Sequence, residues 1–130
     1  MSKVIEIANE IAGELAHLHA EVQFTPEFRI KDASMTKAVV VPAGTGFRAL
    51  SRAVFEETPC VHLGIVRKAS EGDVPALVGV VQKLGRSFLN RRICDAVCTE
   101  VSFDPLYSPS HLREKGLFVS VVELTFKAAC

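Results

Sequence analysis

The clearest hydrophobic pattern lies near the C-terminal end. From Leu117 to Lys127 the chain reads Leu-Phe-Val-Ser-Val-Val-Glu-Leu-Thr-Phe-Lys, rich in β-branched and aromatic residues and free of Pro and Gly. Such a run predicts a strand. At about 3.3 Å per residue it extends roughly 35 Å, and a compact domain of this chain length is about 36 Å across. One strand therefore spans the domain, and the other elements pack around it. Phe118, Ser120, Val122, Leu124 and Phe126 alternate onto one nearly continuous core face. Leu117, Val119 and Val121 point the other way, followed by Glu123, Thr125 and Lys127. That second face is apolar at one end and polar at the other.

Upstream, Ser2 is placed to cap a helix running to about Ala20, with Val4, Ile7, Ala8, Ile11, Leu15 and Leu18 at helical spacing. Lys3, Glu6, Glu10 and Glu14 fall on another face. Val22 to Ile30 reads as extended, with Pro26 placing it at an edge or bulge, and Lys31–Ser34 as a polar turn. Ala38–Val41 reads as a short buried strand ended by Pro42. Gly44 to Arg52 reads as a flexible loop carrying Arg48 and Arg52. The chain then extends through Val54 and Phe55, bends at Glu56–Pro59 and resumes as a strand from Val61 to Arg67.

Asp73 and Pro75 begin a second helix, whose apolar face is Val74, Leu77, Val78, Val81, Leu84 and Phe88. Ala96–Asp104 reads as a strand, and Pro105–Gly116 as a connector with a helical turn from Ser110. These elements predict a single α+β domain over residues 1–130. Its sheet is mostly antiparallel with four to five strands, its two main helices lie on one face, and the order is α-β-β-β-α-β-β.

Charge and composition narrow the function. Fifteen basic residues balance fifteen acidic ones, which argues against a general nucleic-acid binder. Glu6, Glu10 and Glu14 interrupt the N-terminal apolar pattern, so no signal peptide is expected. No uncharged run approaches the roughly 20 residues of a membrane span. The four cysteines, Cys60, Cys94, Cys98 and Cys130, read as reduced thiols. On a strand, Cys94 and Cys98 would stand about 13 Å apart, too far for one zinc ion. His17 and His19 point in different directions on a helix and make no metal pair.

Cys60 and His62 would share a strand face at about 6–7 Å, without an oxyanion-hole motif. The Gly44-x-Gly46 pair lacks the further glycine of a dinucleotide loop and the Gly-Lys-Ser/Thr of a P-loop. Arg86, Arg91 and Arg92 suit the C-terminal end of the helix dipole. No catalytic residue, metal or cofactor is expected. Two helices, each about 10 Å wide, cover only one face of such a sheet. The face with Leu117, Val119 and Val121 is left open, which predicts self-association.

The order of these pieces carries a resemblance. An amphipathic N-terminal helix precedes Phe28-Arg29-Ile30-Lys31-Asp32 and the Val39–Pro42 strand end. A loop with Ser51-Arg52, a strand ending Gly64-Ile65-Val66-Arg67-Lys68 and a helix starting at Asp73 follow. The chain closes on Asp104-Pro105-Leu106-Tyr107-Ser108 and the Leu117–Lys127 strand. Over nearly its whole length the sequence resembles the tail-terminator (tail-completion) proteins of long-tailed bacteriophages, most specifically in that ending.

The resemblance implies a structural virion protein of the tail or neck, assembled in the host cytoplasm as a hexameric ring. Such a ring caps the tail tube, stops its polymerisation and joins the head connector or neck protein. DNA passes only as cargo through the lumen, and no membrane, catalytic residue or cofactor is involved. On this reading Gly44, Phe47, Arg48, Arg52, Tyr107, Leu117, Val119 and Val121 are the candidate subunit or tube contacts. Another phage neck or tail-tube ring protein is the nearest alternative, followed by a small ligand-binding domain or enzyme.

Overall fold

The computed structural model describes residues 2–24 and 36–129. Its elements are α1 (Lys3–Glu14), β1 (Glu21–Val22), β2 (Lys37–Gly44), β3 (Phe47–Ala49), β4 (Phe55–Glu57) and β5 (Cys60–Lys68), then α2 (Val74–Arg86), β6 (Arg92–Ile93), β7 (Ala96–Phe103), α3 (Pro109–Lys115) and β8 (Leu117–Ala129). This is a mixed α+β domain with a curled sheet, carrying more strand segments and one more helix than the pattern predicts. β8 is the spanning strand and runs two residues further than expected.

Register explains how the extra strands arise. Lys37↔Val66 through Pro42↔Val61 pair β2 with β5 antiparallel, and the register shifts by one at Gly44↔Cys60. Phe47↔Glu57, Arg48↔Glu56 and Ala49↔Phe55 then pair β3 with β4. Between the two ladders, Gly46 and Thr58 exchange N–H to carbonyl bonds. The four segments are thus one long hairpin, closed where the Leu50 and Ser51 N–H groups donate to the Val54 carbonyl. β8 follows its inner arm throughout, from Lys68↔Leu117 to Cys60↔Thr125 and on to Glu56↔Ala129. On its other side β8 pairs with β7, whose start pairs with β6.

Several expectations are corrected here. The stretch from Gly44 to Arg52 is not a flexible loop. Gly44 ends β2, Phe47 and Arg48 belong to β3, and only the tip around Arg52 is a turn. Pro42 does not end its strand either. Gln23 N–H donates to the Val40 carbonyl, so Pro42, two residues on, turns its nitrogen to the same side, beyond the end of β1. A missing N–H costs no ladder bond at such an open edge.

α1 stops at Glu14, short of Ala20, and a 3₁₀ turn over Ala16–Leu18 ends on left-handed His19. Leu15 and Leu18 still reach the core, so the apolar periodicity outlasts the helix itself. Of the extended segment expected from Val22 to Ile30, Val22 lies in β1, parallel to β2, and Gln23 and Phe24 follow it outside any strand. Residues 25–30 and the Lys31–Ser34 turn lie outside the described residues.

α1 and α2 cover one face of the sheet, as the pattern predicts. Ile7 and Ile11 of α1, Val81 of α2 and Phe88 just beyond it share a core with Val40, Leu63, Phe118, Val122, Leu124 and Phe126. α2 begins after a capping box in which Ser70 and Asp73 bond reciprocally, and Pro75 occupies its first turn. Gly85 lets the helix approach β7 and β8. A Cβ there would stand 2.9 Å from Phe103 Cζ and 3.1 Å from methyls of Val101 and Val122. Gly85→Val is therefore expected to lower the unfolding free energy by about 2–3 kcal/mol, the cost of overpacking a filled site. Urea titration of the purified variant checks this.

The opposite face departs from expectation. Val39, Val66 and Val119 are 0, 1 and 2% exposed, so the apolar end is covered within the chain. Past the end of β7 the 105–116 connector continues along the same edge of β8. Ser108 N–H donates to the Val119 carbonyl and Val121 N–H to the Pro105 carbonyl, and α3 packs against β8. Val119 therefore presents no exposed apolar surface.

Candidate functional site

The alternation that builds the core runs on past the helices. Ala128 on the core side of β8 pairs with Glu57, which pairs with Phe47; Ala49 and Phe55 follow on the same face. Beyond the helices nothing among the described residues covers them. Phe47 is 68% exposed and Phe55 49%, and the turn adds Leu50 at 52% and Val54 at 39%. Four large apolar side chains thus stand in solvent around one hairpin tip. Water contact with that much apolar surface is unfavourable, and such patches are where proteins dock.

Polar contacts hold the tip in shape. Arg48 faces Glu56 across the strands, with Nη2 3.4 Å from Oε1. The arginine is largely exposed, so the pair contributes little stability. Glu57 is buried, and Thr45 donates to its Oε2 at 3.1 Å. Arg52 is exposed in the turn.

The candidate contacts do not form one patch. Phe47, Arg48 and Arg52 lie on the arm and its tip, and Gly44 lies at its base, opposite Cys60. Leu117, Val119 and Val121 lie toward the other end of β8, about 23–36 Å along the strand from the level of Phe47, with Tyr107 beside them. Of these, Val119 is buried, Tyr107 packs onto the core, and Leu117 and Val121 are half-buried. The sequence reading missed Leu50, Val54 and Phe55 as members of the patch. Their signal was present: three apolar residues flank a Ser-Arg turn too short to bury them.

Chemically reactive groups are scattered by contrast. On the polar end of the second face, His62 Nε2 stands 3.9 Å from Glu123 Oε1, and Ser102 Oγ donates to Glu123 Oε2 at 3.2 Å. Cys60 lies on this face, but burial pushes its thiol above the ordinary value, and the Glu123 and Glu100 carboxylates push it further. A hydrogen bond with Thr125 opposes these effects only in part. The thiol is therefore protonated at neutral pH and poorly nucleophilic. Cys60 is expected to alkylate more slowly at pH 7 than an ordinary thiol, and its rate is expected to go on rising with pH past 9.0, where an ordinary thiol levels off; iodoacetamide labelling and mass spectrometry follow it.

Burial likewise raises the thiols of Cys94 and Cys98. Cys98 is in the core, whereas Cys94 sits in the left-handed turn between β6 and β7. Among the described residues no three His, Cys, Asp or Glu side chains gather to hold a metal ion. The arginine cluster also divides. Arg91 pairs with Glu14 and stacks over the Phe88 ring, Arg92 is exposed on β6, and Arg86 faces a separate cleft beside α2. No described helix is long and apolar enough to cross a membrane. No protein-family model matches the chain, and no curated protein matches it.

Proposed function

We propose that this chain is a structural subunit of a phage tail: a ring-forming terminator that caps the tail tube, ends its polymerisation and provides the joint to the head connector. The hairpin tip is the observation that carries the reading. A rigid, doubly paired arm holds Phe47, Leu50, Val54 and Phe55 outside the domain's own core, which suits a subunit completed by its neighbours. The Asp104–Ser108 and Leu117–Lys127 sequences add the resemblance that points to a terminator.

In this reading the arms dock on adjacent subunits or on the last ring of the tube. The subunit needs no catalytic group, and its thiols and histidines serve packing and solvation. Native mass together with negative-stain images tests it. Rings of about six subunits, free in solution or seated on tube ends, are the expected result. The chain should also shorten tubes when added to the polymerising tail-tube protein of the same phage. A strict monomer that leaves tube length unchanged would overturn the proposal.

A further inference from the structure

A second surface, remote from the hairpin tip, has the features of a peptide-docking groove. β7 pairs with β8 along one side, but β6 covers only Val97 and Ala96 on the other. Asn90 and Arg91 bond to Cys98, and beyond that point no described strand pairs with the β7 edge. Asp104 N–H donates to the Val121 carbonyl. By strand alternation Val101 and Phe103 therefore turn their own N–H and carbonyl groups outward, away from β8. Backbone groups in such a row are a ready template for another strand.

The side chains of these two residues form one wall of a cleft of about 380 Å³, and α2 forms the other. Leu89, 40% exposed, adds apolar surface. Lys83 and Arg86 add positive charge, and neither takes part in an ion pair with a described carboxylate. Gly79 is the third observation. It lies inside α2, where glycine is among the worst helix formers, and nothing lies within 4 Å of where its Cβ would be. Packing within the chain does not explain it. Its missing side chain widens the cleft.

We propose that the β7 edge and the cleft beside α2 bind an extended acidic segment of a partner protein as an added strand. The segment pairs with the outward N–H and carbonyl groups of Val101 and Phe103, the strand-addition mode of recognition. Its cleft-facing positions, two residues apart, carry an apolar side chain against Leu89, Val101 and Phe103 and a carboxylate beside Lys83 and Arg86. The unpaired cations select an acidic partner over a neutral or basic one. This site is independent of the ring reading and of the hairpin tip.

The test uses the full chain and a fluorescein-labelled Thr-Glu-Thr-Leu-Thr-Glu-Thr peptide, followed by anisotropy and by amide hydrogen exchange. Saturable binding is expected, weakened at least about tenfold by Lys83→Glu with Arg86→Glu, a loss typical of reversing paired charges. Gly79→Leu should block the peptide while leaving the thermal midpoint unchanged or higher, which separates cleft filling from misfolding. Bound peptide should slow exchange of the Val101 and Phe103 amides, while that of Ser102 stays as it was.

Binding that survives charge reversal, or that leaves the Val101 and Phe103 amides unprotected, would overturn the proposal. So would equal binding of a peptide with lysine in place of glutamate. Absence of peptide binding, with self-association through this edge instead, would assign the groove to a second copy of the chain and reject the partner segment.

Discussion

Phe126→Ala is expected to lower the unfolding free energy by about 3–5 kcal/mol, the usual cost of removing a buried phenylalanine. Against a total stability of about 5–15 kcal/mol for a domain, this leaves a marginal or unfolded protein at 37 °C. Phe126 is fully buried, pairs with Cys98 of β7 and donates its N–H to the Pro59 carbonyl. It therefore sits where β8 joins the last turn of the core to the base of the hairpin arm. Its ring packs in the core shared by the sheet and both helices, and partial collapse does not refill the space that the ring leaves. Urea denaturation followed by circular dichroism measures the loss, and a change under about 1 kcal/mol would show that the site relaxes.

On the proposed ring, the second large effect is on assembly, with folding spared. Phe47→Ser together with Phe55→Ser should leave the monomer's unfolding free energy within about 1 kcal/mol of the parent, as for exposed positions elsewhere. The Phe47 ring stands mostly in water and that of Phe55 about half, so their removal deletes only part of a buried side chain's contribution. Aromatic anchors at the centre of an interface commonly cost about 2 kcal/mol or more when truncated. Two of them should weaken each subunit contact by roughly three decades. Sedimentation velocity distinguishes the outcomes: rings lost with normal folding support the docking role, whereas unchanged rings exclude the tip from the contacts.

How much was legible depended on whether local pattern and tertiary pairing agreed. Leu117–Lys127 was plain because β-branched residues, alternation and absence of Pro or Gly all favour a strand. The two helices were plain from their apolar spacing of three and four residues, though α1 ends at Glu14, short of the expected Ala20. Phe47–Ala49 was not, because Gly44 and Gly46 on its flank read as loop punctuation. Only its register against Phe55–Glu57, fixed by β8, makes it a strand. Pro42 misled similarly, since a proline ends a central strand but is harmless at an open edge.

Of the candidate contacts, Phe47, Arg48 and Arg52 were read as part of one loop, whereas Phe47 and Arg48 lie in β3 and Arg52 in the turn beyond it. Val119 was misassigned because alternation tells which face a residue occupies, not whether another segment covers it. The β7 cleft left no periodic signal at all. It depends on where one strand stops being paired, and Gly79 alone gave no hint of its surroundings.

One consequence of the register that β8 keeps along the inner arm, from Lys68↔Leu117 to Glu56↔Ala129, concerns mechanical load. The arm from Lys37 to Lys68 and strand β8 share one ladder that runs from the domain's far end almost to the hairpin tip. Antiparallel hydrogen bonds lie perpendicular to the strands, so a pull along the arm places them in shear. They then bear force together and do not peel apart one at a time. A tug at Phe47 or Phe55 is thereby spread across the sheet, and the arm behaves as a tether anchored in the whole domain.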